Sequence, residues 1–259
     1  MQKDKAIFVW IPKAAGTSLY TVLKEHGCRK LKTPKKFKHF NNSGFVTFGH
    51  VDINYLLDNK IIESNYLEDA FKFCFVRNPW DRLVSLYFYL KCDNRISFEE
   101  FVYIVRSRHR LQKSFFYSQK LLNYFTGSAL IPTDNYQEPY TVVLINKLLK
   151  KLFTFSPWLI SFFPIPKNGP YNSIDWSQAN PQTDWITGHD GNILVDVVYK
   201  LENISEDFNK VCNSLGIDTV LPHVNKTDHK NYRSYYNQET KKIVADIYQT
   251  DIEMFNYQF

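Results

Sequence analysis

The sequence predicts an α/β fold, a parallel sheet flanked by helices in a single domain spanning 1–259. A continuous apolar run, Ala6 to Ile11 (AIFVWI), and a run apolar except at Lys72, Phe71 to Val76 (FKFCFV), each pass through a tight loop into a helix-like pattern. A third run rich in β-branched residues, Ile193 to Leu201 (ILVDVVYKL), is likewise followed by a helical pattern. Apolar runs of this length suit strands buried on both faces, and repeated strand-to-helix units imply parallel pairing. With 259 residues, 44% of them apolar and 17% aromatic, the chain can bury a sizeable core, which excludes a disordered or fibrous protein.

Taken in order, the first strand gives way to Pro12-Lys13-Ala14-Ala15-Gly16-Thr17-Ser18 and then to a helix marked by Leu19, Val22 and Leu23. The second runs into Arg77-Asn78-Pro79 and a helix over Trp80 to Lys91, with Pro79 near the helix start, where its missing N–H costs nothing. After the third strand a helix is expected over Ile204 to Leu215, ended by Gly216. Gln238 to Phe255 is again helical in period, with Ile243, Ile247 and Phe255 among its apolar positions. Prolines at 132, 139, 157, 164, 166, 170 and 181 break the pattern, so 130–180 reads as an irregular insertion over the sheet.

The charge balance of 32 Lys+Arg against 26 Asp+Glu, a formal +6, favours an anionic partner and leaves nucleic acid, anionic lipid, acidic glycan and nucleotide open. Cys28, Cys74, Cys92 and Cys212 form no C-x-x-C pair, which suits a reduced compartment and predicts no metal site. Met1 to Lys5 lead into the first strand without a secretory h-region, and no stretch reaches the roughly 18 apolar residues of a spanning helix. A cytoplasmic enzyme is expected.

Two loops carry chemistry. The first joins a strand to a helix N-terminus, where backbone N–H groups and the helix dipole attract an anion and small residues at 14 to 16 let an oxyanion approach. Its lysine precedes the glycine and the first glycine of a Walker A pattern is missing, which argues against an ATP-cleaving loop. An ordinary helix start capped by Thr17 or Ser18 is the alternative. The second loop sets Arg77 at the C-terminal end of a strand, where ligands of open α/β sheets bind, and Ser85 follows eight residues later. Leu83, Leu86, Tyr87 and Leu90 form one apolar stripe at 100° per residue, with Ser85 on the opposite side. Arg77 offers a fork of donors to a phosphate, or else pairs with Asp81. Two anion loops at two strand ends point to a ligand with two anionic ends.

IPKAAGTSL at 11 to 19 and FVRNPWDRLVSLYFY at 75 to 89 resemble the 5′-phosphosulfate loop and the 3′-phosphate segment of carbohydrate sulfotransferases, which use 3′-phosphoadenosine-5′-phosphosulfate (PAPS). The resemblance is to the group holding the heparan 2-O- and chondroitin sulfotransferases and bacterial homologues. It continues in NPQTDWI at 180 to 186, in YKLENISEDF, in LPHVNKTDHKNYRSYY and in DIEMFNYQF, and is weak between 100 and 175. It implies the P-loop-like sulfotransferase fold and in-line transfer of a sulfuryl group from PAPS to a sugar hydroxyl, with no metal. Lys13 then matches the catalytic lysine, the N–H groups of Ala14, Ala15, Gly16, Thr17 and Ser18 hold the 5′-phosphate, and Arg77 and Ser85 match the 3′-phosphate ligands. His50, in Phe48-Gly49-His50-Val51, matches a catalytic histidine whose ordinary pKa of about 6.5 suits a base. Asp52 is the fallback base. Lys226 matches a loop over the nucleotide, where a 3′-phosphate contact and a solvated loop are both open. Gln182 and Trp185 match positions read as structural first.

On the acceptor side, RKLKTPKKFKH from Arg29 to His39 holds six Lys or Arg and no acid, and reads as a solvated surface or as a patch that draws in an acidic glycan. Thr141 to Pro166 reads as core packing or as an interfacial segment that brings the enzyme to a lipid-linked acceptor at the inner membrane face. Nucleic acid is not an expected partner. A variant P-loop kinase and a noncatalytic glycan- or lipid-binding module are the alternatives.

Overall fold

The computed structural model describes residues 3–94, 96–110, 176–221 and 230–259. The strands are β1 (Ala6–Val9), β2 (Arg29–Leu31), β3 (Phe45–Phe48), β4 (Phe71–Val76) and β5 (Val197–Lys200), and they form one sheet in the order β2-β3-β1-β4-β5. Every neighbouring pair is parallel. Around it lie α1 (Gly16–Glu25), α2 (Pro34–Phe37), α3 (Ile53–Asp58), α4 (Ser64–Asp69), α5 (Pro79–Tyr89), α6 (98–110), α7 (Ile204–Leu215), α8 (Gln238–Ile247) and α9 (Gln249–Met254).

The apolar runs are strands for the reason the sequence offers: a strand covered on both faces needs no polar alternation. All four residues of β1 are buried, and so are Phe71, Phe73, Cys74, Phe75 and Val76 of β4. Phe8 of β1 stacks on Phe73 of β4 at 5.3 Å between ring centroids, a contact that ties the two strands together, and Phe73 stacks in turn on Phe71 of its own strand at 5.3 Å. Each such buried ring contributes about 1.5–3 kcal/mol of transfer free energy.

Strand order fixes where a ligand can sit. From β1 the chain crosses to β2 on one side of the sheet, and from β4 it crosses to β5 on the other. The crevice outside the carboxyl ends of two strands whose connections diverge is where open α/β sheets bind ligands. Here those two strands are neighbours, in register Val9↔Cys74.

Several expectations change in detail. The third strand is four residues, Val197–Lys200, and not 193–201. Ile193 instead forms an isolated antiparallel bridge with Thr187, and the Asp196 N–H donates to the Lys72 carbonyl while the Lys72 N–H donates to the Asp196 carboxylate, both at 2.8 Å. The C-terminal helix is interrupted at Tyr248, giving α8 and α9. Part of the basic run is a strand: β2 pairs with β3, and Arg29 is held by Asn41, the Ser43 carbonyl and the Phe40 ring. Lys32, Lys35, Lys36, Lys38 and His39 are exposed, as a solvated surface requires. The stretch 141–166 lies outside the described residues, as does the irregular segment 130–180 except for its last residues, where Trp176–Ala179 forms a 3₁₀ turn. Among the described residues no helix is long and apolar enough to cross a membrane.

The β4–α5 turn depends on Asn78, which is buried, accepts from the Trp80 N–H at 3.1 Å as the cap of α5 and donates to the Gln258 carbonyl at 2.8 Å. Asn78→Ala removes both bonds and is expected to cost about 1–2 kcal/mol, the range for lost helix caps. Urea denaturation measures it; an unchanged midpoint contradicts the capping role.

Candidate active site

The β1–α1 loop alternates backbone handedness. Lys13 and Ala15 both take left-handed conformations, φ 66° and 59°, which non-glycine residues seldom adopt. Such alternation turns successive N–H groups to one side and makes an anion-binding concavity. Ala15 is the N-cap of α1 and carries no side chain able to cap it, and the first turn contains no acid. Neither Thr17 nor Ser18 occupies the cap position, so the ordinary capped start is not what forms here. The positive end of a ten-residue helix is left to whatever anion the loop receives.

The small residues have a packing use as well. A Cβ on Gly16 would stand 2.1 Å from Nε1 of Trp10, so glycine there lets the indole lie against the start of α1. Ala14 and Ser18 are buried, Ala15 and Lys13 half-buried, and Thr17 exposed. The Lys13 amine sits 3.9 Å from the centroid of the Tyr89 ring at the end of α5. Burial, and secondarily the charge of Arg77, pushes its pKa down to about 8.

Arg77 stands at the carboxyl end of β4, next to that loop. Its Nε donates to Asp81 at 2.9 Å, while Nη1 reaches the carbonyl of Lys13 at 3.4 Å. The ion pair and the loop contact therefore coexist, one on each edge of the guanidinium. The backbone N–H groups of Arg77 and Asn78 are taken by Gln182 Oε1 and Glu202 Oε1, at 2.8 and 2.7 Å. At this loop an anion is thus offered side-chain donors, where the first loop offers backbone. Arg82, buried on α5, tightens the junction: it donates to the carbonyls of Pro12, Gln178 and Asn180 at 3.2, 2.7 and 2.8 Å.

Ser85 is placed differently from expectation. It is 2% exposed, because α5 is a central helix buried around most of its circumference, including Arg82, Val84 and Ser85, and not only along the Leu83, Leu86 and Tyr87 stripe. Its hydroxyl does not lie on an open helix face. Lys226 lies outside the described residues.

His50 follows β3 at the same sheet end, half-buried and left-handed at φ 60°. Its ring meets Trp10 edge-on at 5.6 Å. Trp10 therefore separates the helix start at Gly16 from His50. Asp52, the fallback base, accepts from the Tyr55 N–H at 2.8 Å as the cap of α3, a structural use of the carboxylate. Lys30 of β2 lays its amine 3.3 Å from the Trp10 ring centroid, and burial followed by the charge of Lys32 pushes its pKa down to about 8. Its stem passes Gly49, where an added Cβ would meet Lys30 Cε at 3.3 Å.

The structure thus gathers Lys13, Ala14, Ala15, Gly16, Thr17, Ser18, Arg77 and His50 at one end of the sheet. Sequence reasoning missed Trp10, Tyr89 and Arg82, and took Lys30 only as one member of the basic run. A tryptophan closing an apolar strand immediately before the loop, and an arginine inside an otherwise apolar helix, are the two signals that could have found part of this set. A family model described as "Sulfotransferase family" matches residues 1–258. No curated protein and no solved structure matches the chain.

A lysine that loses its proton near pH 8 makes anion binding pH-dependent in a definite direction. An anion beside Lys13 favours the ammonium, so above about 8 binding takes up a proton and affinity falls as pH rises. Phosphate groups, with second pKa of about 6, are already fully charged there. Calorimetric titration of 3′,5′-bisphosphoadenosine is expected to show weaker binding at pH 9 than at pH 7, and Lys13→Arg, which stays charged, is expected to flatten the profile. A flat wild-type profile contradicts the placement of Lys13 against the anion.

Proposed function

The chain belongs to the sulfotransferase family, and on that premise we propose that it moves the sulfuryl group of PAPS to a hydroxyl of a carbohydrate acceptor by in-line displacement. The observation that carries this reading is the junction of the two loops at the carboxyl ends of β1 and β4, where the Arg77 guanidinium reaches the Lys13 carbonyl at 3.4 Å. A nucleotide phosphorylated at both 5′ and 3′ positions has the two anionic ends such a junction suits.

The residues fit the co-substrate. Backbone N–H groups from Ala15 to Ser18, at the start of an α1 whose N-cap residue has no side chain to cap it, hold the 5′-phosphate, and that of Ala14, which donates to the Ile11 carbonyl at 3.4 Å, joins them only if that turn opens. Arg77, with Asp81 fixing its Nε edge, holds the 3′-phosphate. Ser85 joins it only if the cover over α5 shifts, since the hydroxyl is buried. PAPS supplies the sulfuryl group. In the transfer, the acceptor oxygen forms a bond to sulfur as the bond from sulfur to the phosphate oxygen breaks.

Lys13 places a cation at that breaking bond, where negative charge accumulates on the phosphate oxygen. Its half-buried setting strengthens the effect by excluding water. His50, aligned edge-on to Trp10, takes the acceptor's proton, and with Asp52 engaged as a helix cap the histidine is the base. Lys30 and Lys32 flank Gly49 beside it, a basic approach for an acidic sugar. Positioning and charge stabilisation account for the catalysis, as in related group transfers.

Incubating the protein with radiolabelled PAPS and a panel of neutral and acidic glycans tests the reaction: label in a glycan is expected, and label transferred to none of them contradicts the carbohydrate acceptor. Lys13→Ala is expected to abolish turnover while binding the nucleotide at pH 7 about as the wild type does at pH 9, because backbone groups still carry the 5′-phosphate when the lysine charge is lost. Near-normal turnover in that variant refutes the role of Lys13. Arg77→Ala is expected to weaken 3′,5′-bisphosphoadenosine far more than ADP in a binding titration, and an equal loss for both refutes the 3′-phosphate assignment.

A further inference from the structure

Gln182 lies in the segment after the 3₁₀ turn, 105 positions from Arg77 in sequence, yet its side-chain amide binds both peptide groups of that residue. Oε1 accepts from the Arg77 N–H at 2.8 Å, and Nε2 donates to the Arg77 carbonyl at 2.8 Å. The pairing of β4 with β5 ends one residue earlier, at Val76↔Lys200. Gln182 therefore does for Arg77 what a neighbouring strand would do, at the position where the sheet no longer has one.

Gln182 is itself fixed. It is fully buried, and the buried carboxylate of Asp251 on α9 accepts from its backbone N–H at 2.8 Å and from its Nε2 at 3.3 Å. The other Asp251 oxygen accepts from the Thr183 N–H at 2.9 Å. A buried carboxylate is costly unless several donors satisfy it, and a glutamine whose amide is engaged at both ends has one orientation. Tyr248 anchors the same segment through the Ala179 carbonyl at 2.7 Å.

We propose that Gln182, held by Asp251, is a positioning residue for Arg77: it sets the peptide from which the guanidinium reaches the 3′-phosphate, and so determines selectivity for a 3′-phosphorylated nucleotide. The proposal rests on the reading of Arg77 as the 3′-phosphate ligand. The chain of contacts runs from α9 through the 180–186 segment to the end of β4, and Gln182 acts on the ligand only through Arg77. A fork of donors on a long side chain is specific only if its base is fixed, and small displacements of a positioned group cost binding and rate steeply.

The test uses Gln182→Met, which keeps an unbranched side chain of similar volume and removes both amide bonds, with folding checked by circular dichroism. Affinities for 3′,5′-bisphosphoadenosine and for AMP are measured by calorimetry in the wild type, in Gln182→Met, in Arg77→Ala and in the double variant. Gln182→Met is expected to lose on the order of tenfold in bisphosphate affinity with AMP nearly unchanged, and to add nothing to Arg77→Ala. Asp251→Asn, which keeps the volume and one accepting oxygen, is expected to show a smaller loss in the same direction and serves if Gln182→Met does not fold. An equal loss for both ligands, or additivity in the double variant, shows a merely structural role and overturns the proposal. A wild type that does not prefer the bisphosphate overturns the reading of Arg77 first, and the positioning role with it.

Discussion

The parallel pairing of β1 with β4 is the constraint from which the site follows. In register Val9↔Cys74, it brings the loop that begins at Trp10 beside the loop that begins at Arg77. The chain leaves β1 and β4 in opposite directions across the sheet, so nothing in the β-order itself fills the space above their carboxyl ends. The stacked rings of Phe8 and Phe73 hold this pair, and the contact between Arg77 and the Lys13 carbonyl continues it beyond the strands. Were the register to slip by one residue, every side chain of the strand would change face and the two loops would part.

Around that pairing the fold tolerates features that a simple core would avoid. Lys13, Ala15 and His50 all hold left-handed backbone, Arg82 is buried, and Lys13 and Lys30 keep amines against aromatic rings. Strained non-glycine residues and buried cations gathered at one end of a sheet mark a place shaped for chemistry. The division of labour between the two loops has a physical origin. The N–H groups of Arg77 and Asn78 are consumed by Gln182 and Glu202, whereas α1 begins at an alanine that cannot cap it. On the proposed reading, one loop therefore offers an anion backbone dipoles and the other a guanidinium.

Much of this was legible in the sequence because it is local. AIFV and FKFCFV are strands since a strand buried on both faces is built almost wholly of apolar residues, and Pro79 and Gly216 mark a helix start and end by their own backbone preferences. What was not legible depends on distant partners. β2 hides in RKLKTPKKFKH because an edge strand can be built from lysine and arginine when β3 supplies its hydrogen bonds. The burial of Ser85 could not be read from a helical wheel, since the wheel shows the face toward one core and α5 is enclosed on several sides. The bond from Gln182 to Arg77 spans 105 positions and has no local signature.

The central claim, that one nucleotide with 3′- and 5′-phosphates spans the two loops, is tested most directly by a crystal structure of the protein with 3′,5′-bisphosphoadenosine. The account predicts the 5′-phosphate on the backbone N–H groups of residues 15 to 18 and the 3′-phosphate within hydrogen-bonding distance of Arg77. A nucleotide bound with its 3′-phosphate away from Arg77, or bound at another edge of the sheet, would contradict it.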